Sequence, residues 1–181
     1  MESYDAFRAG LTARGYRAYP YSSDAMSEWA GSVDLAFSIQ VIEHTSDPRA
    51  FLEEIRPLLA PDGKLVISTP NRRDILFDLL PEDFPSFFYR VVHRWYFDAA
   101  SLAYCARMAG YRVVKMNYVH RYGMANTLRW LRDRRPGGHD RLPGIEALAD
   151  TFWGGYLEQS GRADCLYAVL EPSAELEWTC R

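Results

Sequence analysis

Two apolar runs in this 181-residue chain end abruptly in polar residues. Residues 33–42, VDLAFSIQVI, lead into Glu43 and His44, and residues 64–69, KLVIST, lead into Pro70, Asn71 and Arg72. Side chains placed where a buried strand meets solvent can converge on a ligand, because loops meet there and nearby helix N-termini offer free amides. The bland reading of Glu43 and His44 is that they solvate a loop and help cap the next helix. His44 and the distant His93, set in HRWYF, are the residues suited to take a proton from a hydroxyl, since a neutral imidazole titrates near the working pH. Packing among Phe88, Trp95 and Tyr96 is the plainer role for His93. Arg121, Arg129, Arg132, Arg134 and Arg135 crowd into one short stretch, opposed there by Asp133 alone. Such a group can grip a phosphate or carboxylate through the guanidinium fork, or simply face water. Phe84, Phe87, Phe88, Tyr89, Trp95, Tyr96 and Phe97 either line a pocket or pack a lid.

The elements that must hold these residues read as alternating strand and helix. Residues 4–14 have helical spacing, closed by Gly15. Residues 16–21, YRAYPY, alternate as a strand that Pro20 confines to an edge or an end, and Ser22-Ser23-Asp24 can start a helix. The near-continuous apolar character of 33–42 predicts a strand buried on both faces. Asp47-Pro48 opens a helix whose stripe is Phe51, Leu52, Ile55, Leu58 and Leu59. Pro61-Asp62-Gly63 reads as a turn, and 64–69 as a second buried strand. Strand, helix, strand at this spacing is a βαβ unit with parallel strands and a right-handed crossover. Residues 70–98 are too apolar for a linker and too long for a plain connection, as lids and binding loops are. A helix over 99–109 ended by Gly110, a strand over 111–117, a short helix over 126–135, a loop over 136–144, a helix over 145–160 and a last strand over 164–171 complete the chain.

Composition bounds the rest. With 21 Lys+Arg against 24 Asp+Glu the formal charge is −3, and 48% of residues are hydrophobic, an ordinary globular balance that excludes disorder over most of the chain. The near-neutral charge argues against a chain held on nucleic acid or anionic lipid by charge alone. Cys105, Cys165 and Cys180 form no CxxC or other metal spacing, which points to a reducing, cytoplasmic setting rather than a disulfide framework. Charged residues interrupt every run long enough to span a bilayer, and the N-terminus lacks a signal-peptide pattern. No repeat or linker divides the chain, so 1–181 is expected to be one domain.

The stretch DLAFSIQVIEHTSDPRAFLEEIRPLLAPDGKLVISTPN resembles the second half of class I S-adenosylmethionine-dependent methyltransferases, and HRWYFDAASLAYCARMAGYRVV extends the resemblance, which covers roughly residues 2–120. It implies an α/β fold: a Rossmann-like, mainly parallel sheet with flanking helices, and S-adenosylmethionine as cofactor. By position in the motif, Ser38, Gln40 and Val41 would touch the methionine part of the cofactor, Asp24 and Ala25 the adenine, and Glu2 the ribose. A carboxylate can accept from the adenine amine while a small neighbour clears room for the ring; the competing role of Asp24 is a helix N-cap. The family's opening glycine-rich strand, loop and helix have no counterpart in this sequence. Relative to the family the chain therefore reads as truncated at its N-terminus, equivalent to the C-terminal two-thirds of the fold. Its missing strands would leave a bare edge on the strand at 33–42, open to a partner chain or a homodimer.

Gln40-x-x-Glu43-His44 with His93 also resembles the Glu-x-x-Glu-His and distant His that bind a divalent ion in small-RNA 2′-O-methyltransferases and, in part, in ubiquinone-pathway O-methyltransferases. Glu43, His44 and His93 would be the metal ligands, lowering the pKa of a substrate hydroxyl. Gln40 stands where the first acid is expected, and a neutral amide is a poorer ligand for a hard cation, which counts against a metal. Without one, His93 or His44 is the expected general base. The expected reaction is methyl transfer to a small-molecule hydroxyl or similar nucleophile. The alternatives are a non-catalytic methyltransferase-like module that needs a partner chain, and an RNA methyltransferase resting on the Glu43-His44-His93 likeness and the arginines.

Overall fold

The structure, a computed structural model, describes residues 5–173, so Glu2 and Cys180 lie outside the described residues. Its sheet is built around β2 (Leu59–Pro70), which runs parallel to β1 (Val33–Ile39) on one side and antiparallel to β4 (Cys165–Pro172) on the other. β3 (Tyr111–Val119) closes the order β1-β2-β4-β3 by pairing antiparallel with β4. The βαβ unit forms as expected, but one pairing in three is parallel, so the sheet is mixed rather than mainly parallel. The reason lies in the connections: β3 and β4 come after the crossover and return along neighbouring edges, which antiparallel pairing allows.

Eight helices occur among the described residues: α1 (Asp5–Ala13), α2 (Ser22–Trp29), α3 (Pro48–Ile55), α4 (Leu76–Leu79), α5 (Phe84–Phe88), α6 (Ala99–Met108), α7 (Met124–Asp133) and α8 (Ala147–Gln159). Asp47 starts α3 by accepting from the Arg49 and Ala50 amides at 2.9 and 3.0 Å, and Pro48 occupies the first turn, where its missing N–H costs nothing. Asp98 does the same for α6 through the Ser101 amide.

The core lies on one face. Leu65 and Ile67 of β2 sit beside Leu166, Ala168 and Leu170 of β4, and Leu52 and Ile55 of α3 with Leu102 and Ala106 of α6 close over them. The other face carries Leu35, Phe37 and Ile39 of β1, which are 50%, 64% and 45% exposed. The strand expected to be buried on both faces is thus buried on one: β1 is an edge strand among the described residues, and Val33, Ala36 and Ser38 turn toward the core side, the last two opposite Leu65 and Ile67. Among the described residues no strand pairs with the outer edge of β1.

Two other expectations are corrected. Residues 16–21 form no strand. Pro20 lacks an N–H, and the side chains turn to α2 instead: Trp29 Nε1 donates to the Tyr19 hydroxyl at 2.9 Å, while Arg17 pairs with Glu28 and stacks over Trp29. Pro61-Asp62-Gly63 lies inside β2 as a bulge, where the register against β1 jumps from Val33–Leu59 to Leu35–Lys64. Gly63 is required there, since a Cβ would stand 2.5 Å from the Val33 carbonyl oxygen.

Beyond β2 the chain makes a buried polar knot. The Asn71 side-chain amide donates to the Ala163 and Gly161 carbonyls at 2.7 and 3.2 Å, tying the end of β2 to the approach to β4. Asp74, 4% exposed, accepts from the Leu76 amide at 2.9 Å and starts α4. Burial pushes its carboxyl up to about 6, with the Asp164 charge adding to the rise and the Leu76 amide and His120 opposing it.

An acid that holds its proton better folded than unfolded makes stability fall as pH rises from about 4 to about 6 and leaves it low above that range. Asp74→Asn mimics the protonated form. The variant is expected to be more stable than the wild type at pH 8, by up to about 3 kcal/mol, with the gap closing below pH 5. Urea unfolding at the two pH values measures this, and a gap that widened on acidification would contradict the assignment.

Candidate functional site

The carboxyl ends of β1 and β2 meet the start of β4 and the end of β3 at one end of the sheet. Ser38, on the core side of β1, is 6% exposed, and its hydroxyl has no hydrogen-bond partner. Gln40 follows the strand with φ +55°, a left-handed conformation that side chains other than glycine and asparagine adopt at a cost of about 1 kcal/mol. The turn is held by the Gln40 amide, which donates to the Ser68 carbonyl at 3.0 Å. It also aims the side chain: Nε2 donates to Ser68 Oγ at 3.2 Å and approaches Cys165 Sγ at 3.7 Å. Val41 is exposed and begins a single 3-10 turn, Ile42–His44.

That turn places Glu43 inward and His44 outward. Glu43 is 1% exposed, and neither carboxylate oxygen has a hydrogen-bond partner. Burial raises its carboxyl above the usual range, against smaller opposing effects from nearby amide and hydroxyl groups and from the His44 and Arg121 charges. The Glu43 carbonyl accepts from the Arg94 and Trp95 amides at 2.8 and 3.2 Å, which pins the segment bearing His93 against the turn. The result is a cluster: one ligand atom from each of Glu43, His44 and His93 lies within 4.8 Å of the others, and the two rings meet edge to face at 4.7 Å. His44 Nδ1 stands 2.9 Å from the Val92 carbonyl. Donation to that acceptor places the proton on Nδ1 and leaves Nε2 with a lone pair. His93 is half-buried, with Nδ1 enclosed and unpartnered, and burial followed by the neighbouring His44 and Arg90 charges lowers its pKa.

The remaining expected residues are held by partners of their own, although Tyr96 meets the His93 ring at 5.8 Å. Asp24 and Ala25 are in the first turn of α2; the Asp24 carboxylate accepts from the Tyr21 amide at 3.1 Å, as a helix cap does, and Ala25 is buried. The arginines do not converge. Arg129 donates to the Arg141 carbonyl, Arg132 pairs with Asp133 next to it, and Arg134 stands 3.4 Å from Asp83. The aromatic group packs: Phe84 and Phe87 meet Trp130 of α7 edge to face at 5.4 and 5.0 Å, Phe88 and Tyr89 close on Phe77 and Tyr96, and Phe97 joins the main core.

Sequence reasoning missed the contributors from the end of the chain. Cys165 and Asp164 stand at the start of β4, and Asp164, 6% exposed, accepts from the Arg121 amide at 2.8 Å and from Arg121 Nε at 2.6 Å. His120, equally buried, lies 3.4 Å from the same carboxylate. Despite burial, these donors hold the Asp164 carboxyl below its ordinary range. A polar residue just before an apolar strand was the available signal; that the strand inserts beside β2 was not.

Residues 1–116 match the family model described as a methyltransferase domain. The chain belongs to that family. Among curated relatives it is similar to the ubiquinone biosynthesis O-methyltransferases of Caulobacter sp. (strain K31), 38% identical over 58 residues, and of Xanthomonas axonopodis pv. citri, 41% identical over 56 residues. These matches cover 32% and 31% of this chain, and the chain spans 23% of each relative, about a quarter of its length. Among solved structures it resembles a SAM-dependent methyltransferase from Thermotoga maritima, with a TM-score of 0.60 and 16% identity over 95% of this chain and 72% of that one, a likeness of fold.

S-adenosylmethionine is the cofactor that goes with this family. The residues present fit one flank of it: the unpartnered Ser38 hydroxyl and the left-handed turn at Gln40 stand at the strand end where the methionine part would lie. The described residues supply no glycine-rich turn for the opposite flank.

Because the backbone at Gln40 favours glycine, Gln40→Gly is expected to keep stability within about 1 kcal/mol of the wild type although it removes two side-chain contacts. Gln40→Val, β-branched in a left-handed turn, should lose about 2 kcal/mol. Denaturant titration ranks the two, and the reverse order would contradict the turn.

Proposed function

We propose that this chain forms the acceptor-facing wall of a site for S-adenosylmethionine-dependent methyl transfer to a small-molecule hydroxyl. The observation that carries the reading is the packing of two imidazoles edge to face beside the buried Glu43 carboxylate, at the carboxyl end of β1. The O-methyltransferase names of the matched relatives favour oxygen as the methylated atom.

When bound, the cofactor supplies a methyl group on a positively charged sulfur. Transfer of that methyl to an acceptor oxygen, with the sulfur keeping the bonding pair, would require the hydroxyl to give up its proton, and an imidazole of this chain would take it. His93 suits that proton: with its pKa lowered by burial it is neutral at pH 7 and has a free lone pair. Glu43 stands beside the imidazolium that results and would stabilise it. The Gln40 turn and the Arg94 and Trp95 amides hold these groups in place, so the chain's main contribution is alignment.

Calorimetry with S-adenosylmethionine on the full chain tests cofactor binding, and a catechol acceptor tests transfer. His93→Ala is expected to lower kcat about 100-fold or more with little change in cofactor affinity; unchanged turnover would remove His93 from the reaction. The acid limb of the pH–rate profile should lie below the ordinary histidine range, because the group must lose its proton to act.

A variant of this reading uses the same three side chains as ligands. Glu43 offers oxygens without partners, and His44 donating Nδ1–H to the Val92 carbonyl is how metal-bound imidazoles are commonly oriented. A divalent cation held there would lower the pKa of the acceptor hydroxyl directly. Loss of turnover in a chelator, restored by added metal and absent in Glu43→Gln, is the expected result of this variant; full turnover in the chelator leaves the imidazole base alone.

The bare edge of β1, with Leu35, Phe37 and Ile39 exposed, favours a second reading, a module that completes its sheet with another chain. Absence of cofactor binding at millimolar concentration, together with concentration-dependent dimerisation, would select it. No described helix is long and apolar enough to cross a membrane.

A further inference from the structure

Of the five clustered arginines, Arg121 differs from the others in where its charge is held. It follows β3 directly, and both its backbone amide and Nε are committed to the buried Asp164 carboxylate. The side chain is nevertheless 42% exposed, and its two terminal nitrogens donate to no group among the described residues. A guanidinium clamped along its Nε edge keeps its plane and direction, and it presents the outer pair of N–H groups as a flat fork of the kind that matches a carboxylate or phosphate. The Tyr122 ring, 5.6 Å from the guanidinium carbon, backs the group further.

Its place in the fold is the second observation. Asp164 Oδ2, which holds Arg121 Nε, is 3.7 Å from Cys165 Sγ, and Cys165 Sγ is 3.7 Å from Gln40 Nε2. Arg121 therefore reaches the Gln40 turn in short steps through buried atoms, and it is near enough to Glu43 to favour the charged form of that carboxylate. Arg129, Arg132 and Arg134 are spent on the Arg141 carbonyl, Asp133 and Asp83.

We infer that Arg121 anchors an anionic group, a carboxylate or a phosphate, on the acceptor at this site. The inference rests on the methyl-transfer reading above and gives its acceptor a substrate class: a hydroxyl compound that also bears an acidic group. Asp164 neutralises part of the guanidinium charge, so the selectivity comes from the fixed direction of two donors more than from long-range attraction.

The test compares 3,4-dihydroxybenzoate with catechol, which differ by one carboxylate, by calorimetry on the full chain. The wild type is expected to bind the acid about tenfold more tightly or better. Arg121→Gln should abolish that preference, bringing the two affinities together, and Arg121→Lys should keep part of it, since a point charge retains attraction without the fork. A thermal melt of both variants reports folding, and the lysine variant serves if the glutamine variant unfolds. Inorganic phosphate and benzoate as competitors distinguish the two anions, because the stronger competitor names the group recognised. Equal affinity for the two phenols, or a preference that survives Arg121→Gln, overturns the anchor. Methylation of catechol without a preference for the acid sinks the anchor and leaves the methyl-transfer reading standing. A preference for the acid with no methylation of either compound sinks that reading instead, while failure of both to bind removes the acceptor site and the anchor with it.

Discussion

Strand β2 is hydrogen-bonded on both sides, to a parallel strand before it in sequence and an antiparallel strand near the end of the chain, and the site depends on that arrangement. Parallel pairing brings the end of β1 level with the end of β2. Antiparallel pairing brings the start of β4 to the same level, and β3 then ends beside it. Four chain segments thus deliver polar residues to one end of an otherwise apolar sheet. Those residues are Gln40 and Glu43 from the first, Asn71 from the second, Asp164 and Cys165 from the fourth strand, and Arg121 from the third. The buried Asp164 charge needs a partner, which Arg121 supplies, while Asn71 ties the connections together.

Glu43 departs from that economy. It is the most deeply buried acid at this end of the sheet, and its oxygens have no hydrogen-bond partner among the described residues. A group buried without a partner lowers stability, and such costs concentrate where function demands them. Its neighbours are two imidazoles held by backbone contacts, so the site is rigid on the protein side and open in its remaining valences.

Much of this was legible in the residues themselves. The βαβ unit follows from the apolar run at 33–42, the Asp47-Pro48 start and the stripe from Phe51 to Leu59, although the strand stops at Ile39 and the helix at Ile55, with Leu59 already opening β2. The nearness of Glu43 and His44 follows from adjacency, and that of His93 came from resemblance to known motifs, because no local rule joins positions so far apart. Three features escaped for one reason: they depend on pairings with distant segments. YRAYPY has strand-like alternation but meets no edge. The apolar face of β1 reads as buried because composition cannot report whether a neighbour covers it. Asp164 and Cys165 enter the site through the insertion of β4, which periodicity does not encode.

The rings of Trp130, Phe84 and Phe87 join α7 to α5 in a second core apart from the one over the sheet. Trp130 lies beyond residue 116, where the family match stops, whereas the phenylalanines lie within it. α5 cannot move away from α7 without breaking these edge-to-face contacts. The packing of residues 84–87 is therefore shared with a helix beyond the residues that match the family model, so a substitution at Trp130 loosens a segment that the matched residues alone do not hold.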